Sequence, residues 1–290
     1  MRVLRQFDPW RSPYCPCPPK YTLNPYTGCY HGCRYCYITS YIKDGFKARL
    51  KDRLIANLRA DLAKVRFPIT IAISYSSDPY TPPEGYIGIM RRVLKLLMNY
   101  NVRLLIATKS TLIKRDLDLI SQFNTAVSIT ITTLDRYISK KLEPNVPSPS
   151  ARLKVIEYIC QLGIPVSLRI DPIFPGLTDD YKLIEELICT AKEIGVKHIV
   201  SSIYKVKPDN YRRMIETFPH LRHFWYKLYW VDGEYVHGYR YAPYKVRYEI
   251  LSSVASLARK YGLQFNTCRE GLTMLDTKNA FCDASHMLKS

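Results

Sequence analysis

Between Ile69 and Tyr204 the chain alternates short β-branched runs with amphipathic stretches, an order that few folds accept. Ile69 to Tyr75, Val102 to Thr108, Ala126 to Thr132, Pro165 to Ile170 and Lys197 to Tyr204 read as strands, rich in the Val, Ile and Thr that suit a pleated surface. Among the intervening segments, Glu84 to Asn99 carries Ile87, Met90, Val93, Leu94 and Leu97 on one helical face. Thr111 to Gln122, Ser150 to Leu162 and Asp179 to Ile194 continue the pattern. Strand and helix in regular turn predict an α/β fold of parallel βαβ units with right-handed crossovers. A strand near Tyr21 to Pro25 extends the series toward the N-terminus. In such folds the chemistry sits on loops at the C-terminal ends of strands. The loop after that first strand is the unusual one.

It runs Asn-Pro-Tyr-Thr-Gly-Cys-Tyr-His-Gly-Cys-Arg-Tyr-Cys-Tyr from Asn24 to Tyr37 and spaces Cys29, Cys33 and Cys36 as CxxxCxxC. Three thiolates can hold three corners of a 4Fe-4S cube and leave one iron open to a non-protein ligand. The competing reading is a zinc ion with His31 as fourth ligand, although the second ligand pair of a zinc knuckle is missing nearby. A disulfide framework fits poorly, because Met1 to Trp10 is polar and charged without the apolar core of a secretory signal, so a reducing cytoplasm is expected.

Six cysteines lie outside the loop. Cys160 and Cys189 sit on helix faces beside Ile159 and Ile188 and read as core thiols. Cys15, Cys17, Cys268 and Cys282 occupy loops at the two ends of the chain. If the fold joins them, they suit an auxiliary iron-sulfur cluster or a zinc ion, with His286 as a spare ligand.

The flanks differ from the middle. Residues 1–20 end in a proline-rich segment that must be extended. Phe46, Leu50, Leu54, Leu58 and Leu62 recur every four residues and predict a helix after the cysteine loop. Beyond Pro208, Phe224, Trp225, Tyr226, Tyr229, Trp230, Tyr235, Tyr239, Tyr241, Tyr244 and Tyr248 are interleaved with arginine and lysine. That composition suits a surface on which bases stack and phosphates pair, and equally a tyrosine-rich cover over an open barrel edge. A helix from Tyr244 to Tyr261 and a short strand leading to Cys268 follow. The expected division is 1–20, 21–207 and 208–290. No apolar run approaches the roughly eighteen residues of a membrane span, and the net charge of +18 favours polyanionic partners such as DNA or RNA.

With Tyr35 ahead of its last cysteine, the loop resembles the signature of the radical SAM superfamily. The resemblance implies a partial six-stranded (βα) barrel, a 4Fe-4S cluster and S-adenosylmethionine cleaved to a 5′-deoxyadenosyl radical, with an electron donor such as flavodoxin or ferredoxin. Ser76-Ser-Asp-Pro-Tyr80, Thr108-Lys-Ser-Thr111, Thr130-Ile-Thr-Thr-Leu-Asp135, Leu142-Glu-Pro144 and Arg169-Ile-Asp-Pro-Ile-Phe-Pro-Gly176 resemble the branch that includes spore photoproduct lyase. Carried over, Tyr35 neighbours the adenine, and Lys109 pairs with the methionyl carboxylate. Ser77 and Asp78 stand where the superfamily often has Gly-Gly-Glu. Thr132 and Arg169 are candidates for ribose and carboxylate contacts, with an Arg169–Asp171 pair as the plainer reading. Tyr35 and Tyr37 match tyrosines implicated in radical relay. Tyr75 stands where those lyases carry a hydrogen-donor cysteine, which sets thymine-dimer reversal by the same route apart from this chain and makes Tyr75 the substitute candidate. The leading expectation is a radical enzyme acting on a nucleic acid. The alternatives are a peptide or protein maturase with an auxiliary cluster, and a non-enzymatic, metal-bound nucleic-acid-binding protein.

Overall fold

In the computed structural model, which describes residues 2–7, 12, 14, 15 and 17–289, the alternation builds one eight-stranded sheet. Its strands lie side by side in chain order: β1 Leu4–Gln6, β2 Tyr21–Leu23, β3 Ile69–Ile73, β4 Val102–Thr108, β5 Asn124–Thr130, β6 Val166–Ile173, β7 His198–Ile203 and β8 Gln264–Thr267. β2 to β8 are parallel and β1 is antiparallel at the edge. The two edge strands do not pair with each other, which leaves the barrel partial. The expected strands are its centre. β1 was not legible, because three residues show no period; the Val3 and Leu4 amides are fixed instead by Asp61 Oδ2 at 2.7 and 2.9 Å. β8 carries the sheet beyond residue 207, just as β1 begins it ahead of residue 20.

Three helices differ from expectation. The one read from Phe46 begins at Leu54, because Arg49–Leu50 pairs as a strand with Tyr26–Thr27 and Arg53 takes a positive φ of 47°. Glu84 to Asn99 is split at Gly88 into Glu84–Ile87 and Ile89–Leu97. Thr111 to Gln122 is a 3-10 turn, Thr111–Asp116, followed by one short α-turn, Leu117–Ile120. Pro149–Gln161, Tyr181–Glu193 and Tyr244–Lys260 form close to where they were expected.

The period of two along each strand separates two environments. Ile71, Ile73, Leu104, Ile106, Val127, Ile129, Val166 and Leu168 face the helices and form the main core. The opposite face carries the small Ala72 and Ala126 with Leu105, covered by Ala284, Met287 and Leu288 from the C-terminal segment. That segment is tied down where Asn124 Nδ2 donates to the Lys289 carbonyl at 2.7 Å. Further along the same face stand Ser128, Thr130, Arg169 and Asp171, which line a cavity. The inner face is thus apolar and filled at one end, and polar and open to a cavity at the other.

Cys160 is half-buried and packs against the main core, as expected, whereas Cys189, also half-buried, is not a core thiol: its Sγ meets Glu193 one helical turn on.

Candidate active site

The cysteine loop follows β2 and is shaped mainly by backbone contacts. Cys29 N–H donates to the Gly45 carbonyl at 2.9 Å, Arg34 N–H to Leu142 at 2.8 Å, and Cys36 N–H to Cys33 at 3.0 Å. Arg213 clamps the loop from outside, Nη2 to the Cys36 carbonyl at 2.6 Å and Nε to Arg34 at 3.0 Å. Gly28 is required at the entrance: its φ is +81°, and a Cβ there would lie 2.3 Å from the Lys47 carbonyl oxygen. Gly28→Ala should therefore displace Cys29 and cut iron incorporation several-fold in protein that still folds, checked by iron analysis and far-UV circular dichroism.

Burial pushes the Cys29 thiol up to about 12 and raises Cys33 and Cys36 as well. Metal-free, all three stay protonated, so only a strongly charged ligand would ionise them. His31 is turned to protein, with Nδ1 3.2 Å from the Asn145 carbonyl and Nε2 3.2 Å from Asp78 Oδ2. Among the described residues, no three His, Cys, Asp or Glu side chains share one ion position.

Two buried carboxylates fix the floor. Asp78 accepts from the Thr108 hydroxyl and the Lys109 amide, both at 2.7 Å, and from the Tyr80 amide at 2.9 Å. Burial raises its pKa, yet His31 and these donors hold it below the ordinary carboxylate range. Glu143 is fully buried, paired with Arg152 at 2.8 Å and Lys109 at 3.3 Å, and it accepts the Tyr35 hydroxyl. Burial pushes it up, but Arg152, Lys109 and Tyr35 hold it at about 2 against an ordinary 4.5. A carboxylate depressed in the folded state adds stability above its unfolded pKa and loses it as pH falls. Glu143 should thus supply roughly 3 kcal/mol at neutral pH, lost between about pH 4.5 and pH 2. Urea titrations of the chain and of Glu143→Gln should diverge above pH 4.5 and converge toward pH 2.

All these loops open into one cavity of about 320 Å³ at the C-terminal ends of the strands. Cys29, Cys33 and Cys36 line it together with Tyr75, Lys109, Arg169, Lys205 and the Cys15, Cys17, Cys268 and Cys282 set. A sequence-family model described as the radical SAM superfamily matches residues 23–188, more than half of the 290-residue chain. The chain belongs to the radical SAM superfamily.

An uncharacterized protein of Mycobacterium tuberculosis is 31% identical over 185 residues, which is 59% of this chain and 54% of that protein. One of Methanocaldococcus jannaschii is 32% identical over 174 residues, 58% of this chain and 65% of its own length. The matched region thus spans little more than half of the first of these relatives. Among solved structures, a spore photoproduct lyase mutant with bound AdoMet and dinucleoside spore photoproduct superposes with a TM-score of 0.69 at 15% identity, covering 90% of this chain and 79% of the lyase. SuiB of Streptococcus suis, bound to S-adenosylmethionine, gives 0.54 at 14% identity over 85% and 49%. At such identities the likeness is one of fold.

Radical SAM membership implies a 4Fe-4S cluster and S-adenosylmethionine. The donor set fits: three thiols, Cys29 and Cys33 buried and Cys36 half-buried, open to one cavity, and among the described residues no three ligating side chains converge on a single ion. His31, the fourth ligand of the zinc reading, is occupied elsewhere.

The remaining candidates fall at different places. Tyr35, Ser77, Asp78, Lys109 and Arg169 line the cavity. The Ser77 hydroxyl is committed to the Tyr26 carbonyl at 2.6 Å, so Ser77 shapes the loop. Arg169 pairs with Asp171 at 2.5 Å, as the plainer reading had it, and also donates to the Cys282 carbonyl at 2.9 Å. Thr132 is buried, its hydroxyl unpartnered, and does not line the cavity; Ser128 and Thr130 of β5 do. Tyr37 Oη donates to the Tyr75 carbonyl at 3.2 Å and so joins the cysteine loop to the β3 loop. Tyr75 packs on Phe7 at 5.0 Å with its ring in the cavity. Glu143, the hub beneath Lys109 and Tyr35, had been noted only as part of Leu142-Glu-Pro144; a buried carboxylate between two cations is invisible until the third dimension joins them. Lys205, paired with buried Glu270 at 2.5 Å, was likewise unsuspected.

Proposed function

We propose that the chain is a radical SAM enzyme that acts on a nucleic acid. The observation that carries the first half is the opening of Cys29, Cys33 and Cys36 into a cavity that also holds Lys109 and Arg169. When bound, the cluster and S-adenosylmethionine supply reductive sulfonium cleavage and hydrogen-atom abstraction. The protein's part is placement and exclusion of water. Lys109, anchored on Glu143, presents one cation beside the Tyr35 ring, 5.6 Å from its centroid, where a cofactor carboxylate can be met by a charge-assisted contact. Tyr35, held through its hydroxyl by Glu143, forms a rigid wall against Phe174 at 5.2 Å. Tyr75 presents its phenol to the cavity as the hydrogen donor to substrate. Cys15, Cys17, Cys268 and Cys282, which line the same cavity, add a second metal centre.

The nucleic-acid half rests on charge and on the exposed part of the aromatic extension. Trp225, Tyr229, Tyr239 and Tyr241 are buried and serve the core, whereas Phe224, Tyr226, Tyr235, Tyr244 and Tyr248 remain exposed. Tyr226 stacks on Trp230 at 9° between planes, and Arg240 lies over Trp230 and Tyr235 at 5.3 and 5.9 Å. Rings beside a guanidinium, on a chain of charge +18, offer bases a stacking surface and phosphates a cation. Affinity for single-stranded oligonucleotides should fall steeply with salt, and Trp230→Ala with Tyr235→Ala should weaken it about tenfold or more, read by fluorescence anisotropy. The deciding experiment is anaerobic incubation with total RNA and DNA, reductant and deuterated cofactor. Label appearing in a nucleoside supports the reading; cofactor cleaved with no label in any nucleoside would overturn its nucleic-acid half.

A further inference from the structure

The fold brings together Cys17 and Cys282, 265 residues apart in the chain, with their Sγ atoms at 3.5 Å. Cys15 and Cys268 line the same cavity as this pair, so the fold gathers the four sulfurs in one region. The separation of the close central pair bears on which metal the set suits. A single tetrahedral zinc ion with Zn–S near 2.3 Å holds its sulfurs roughly 3.8 Å apart, close to the Cys17–Cys282 separation. A cubane places each thiolate on a separate iron and spreads them wider.

We infer that Cys15, Cys17, Cys268 and Cys282 form an all-thiolate zinc site. No three of them yet share an ion position, so the ion must draw the half-buried end members Cys15 and Cys268 onto the close central pair. His286 is no rival ligand: Nδ1 accepts from the Phe281 amide at 3.0 Å and Nε2 meets Gln264 Oε1 at 2.9 Å. The surroundings suit a site of net negative charge. Arg169 donates to the Cys282 carbonyl, and buried Lys20 pairs with Asp283 at 2.6 Å beside it. The segments joined have little order of their own. Described residues 12–19 contain no helix or strand, and 268–284 only the 3-10 turn Thr273–Leu275. Binding a closed ion would staple the two ends of the chain across the cavity wall that faces Tyr75, fixing its shape without chemistry of its own.

This deepens the second centre named above and does not depend on radical chemistry. Full-length protein would be produced with zinc supplementation, purified anaerobically and analysed for metals beside the Cys17→Ser/Cys282→Ser and Cys29→Ala/Cys33→Ala/Cys36→Ala variants. The site predicts about one zinc per chain in the parent and in the triple variant, and near none in the double variant. Cobalt exchanged into the triple variant should give the intense visible bands and sulfur-to-metal charge transfer of a tetrahedral thiolate site. Should the double variant fail to fold, Cys15→Ser should lose zinc to a chelator at least about tenfold faster than the parent. Zinc-free parent protein, iron that survives in the triple variant, or a Cys17–Cys282 disulfide in non-reducing peptide maps would overturn the assignment. Loss of iron with retention of zinc in the triple variant separates this site from the radical centre.

Discussion

Replacing Cys29, Cys33 and Cys36 together by alanine should yield folded, colourless protein that has lost nearly all its iron and no longer consumes S-adenosylmethionine. Cys29 and Cys33 are buried and Cys36 half-buried, so each sulfur removed leaves at most a small cavity worth about 1 kcal/mol, modest for a chain of this size. The backbone bonds from Cys29 to Gly45 and from Arg34 to Leu142, with the Arg213 clamp, hold the loop without them. Structure and metal binding should therefore separate. Far-UV circular dichroism close to the parent, with iron and visible absorbance gone, is the expected pair of readings. Iron retained at the parent level would place the cluster elsewhere.

The second large effect is expected at Glu143. Removing one member of a buried charge group leaves the others uncompensated, at a cost of about 3–5 kcal/mol. Glu143→Ala strands Arg152, which is 1% exposed, and releases Lys109 and the Tyr35 hydroxyl. Thermal unfolding should fall by about 10 °C, given a few degrees per kcal/mol for a domain of this size. Glu143→Gln, which keeps an oxygen for Tyr35 but not the charge, should fall between. Removing the stranded cation with Arg152→Met in the Glu143→Gln background should recover part of the loss. A melting temperature for Glu143→Ala within a degree or two of the parent would mean that the hub carries no such load.

The parallel strands, the crossover helices and the cysteine loop were all legible in the sequence, because each is a local pattern: β-branched runs, a helical stripe, three thiols within eight residues. What was missed depends on distant contacts. Leu50 continues the four-residue spacing of Leu54, Leu58 and Leu62, yet pairing with Tyr26 pulls it into a hairpin. The C-terminal segment shows no period, yet Ala284, Met287 and Leu288 fill the inner face of the sheet. Glu143, Lys205 and Glu270 acquire meaning only through partners far along the chain. The tyrosine-rich extension was read two ways, and both have residues to support them: Trp225 donates its ring N–H to Pro175 from within the core, while Tyr226 and Tyr235 stay on the surface.

Family membership rests on the matched region, and the chemistry proposed for this cavity rests on an iron corner that the three thiols leave open. The most direct measurement is the 5′-deoxyadenosine formed when anaerobically purified, reconstituted protein is mixed with S-adenosylmethionine and a strong reductant. The account predicts reductant-dependent 5′-deoxyadenosine from the parent and none from the triple-cysteine variant. Fully iron-loaded parent protein that leaves S-adenosylmethionine intact under those conditions would contradict it.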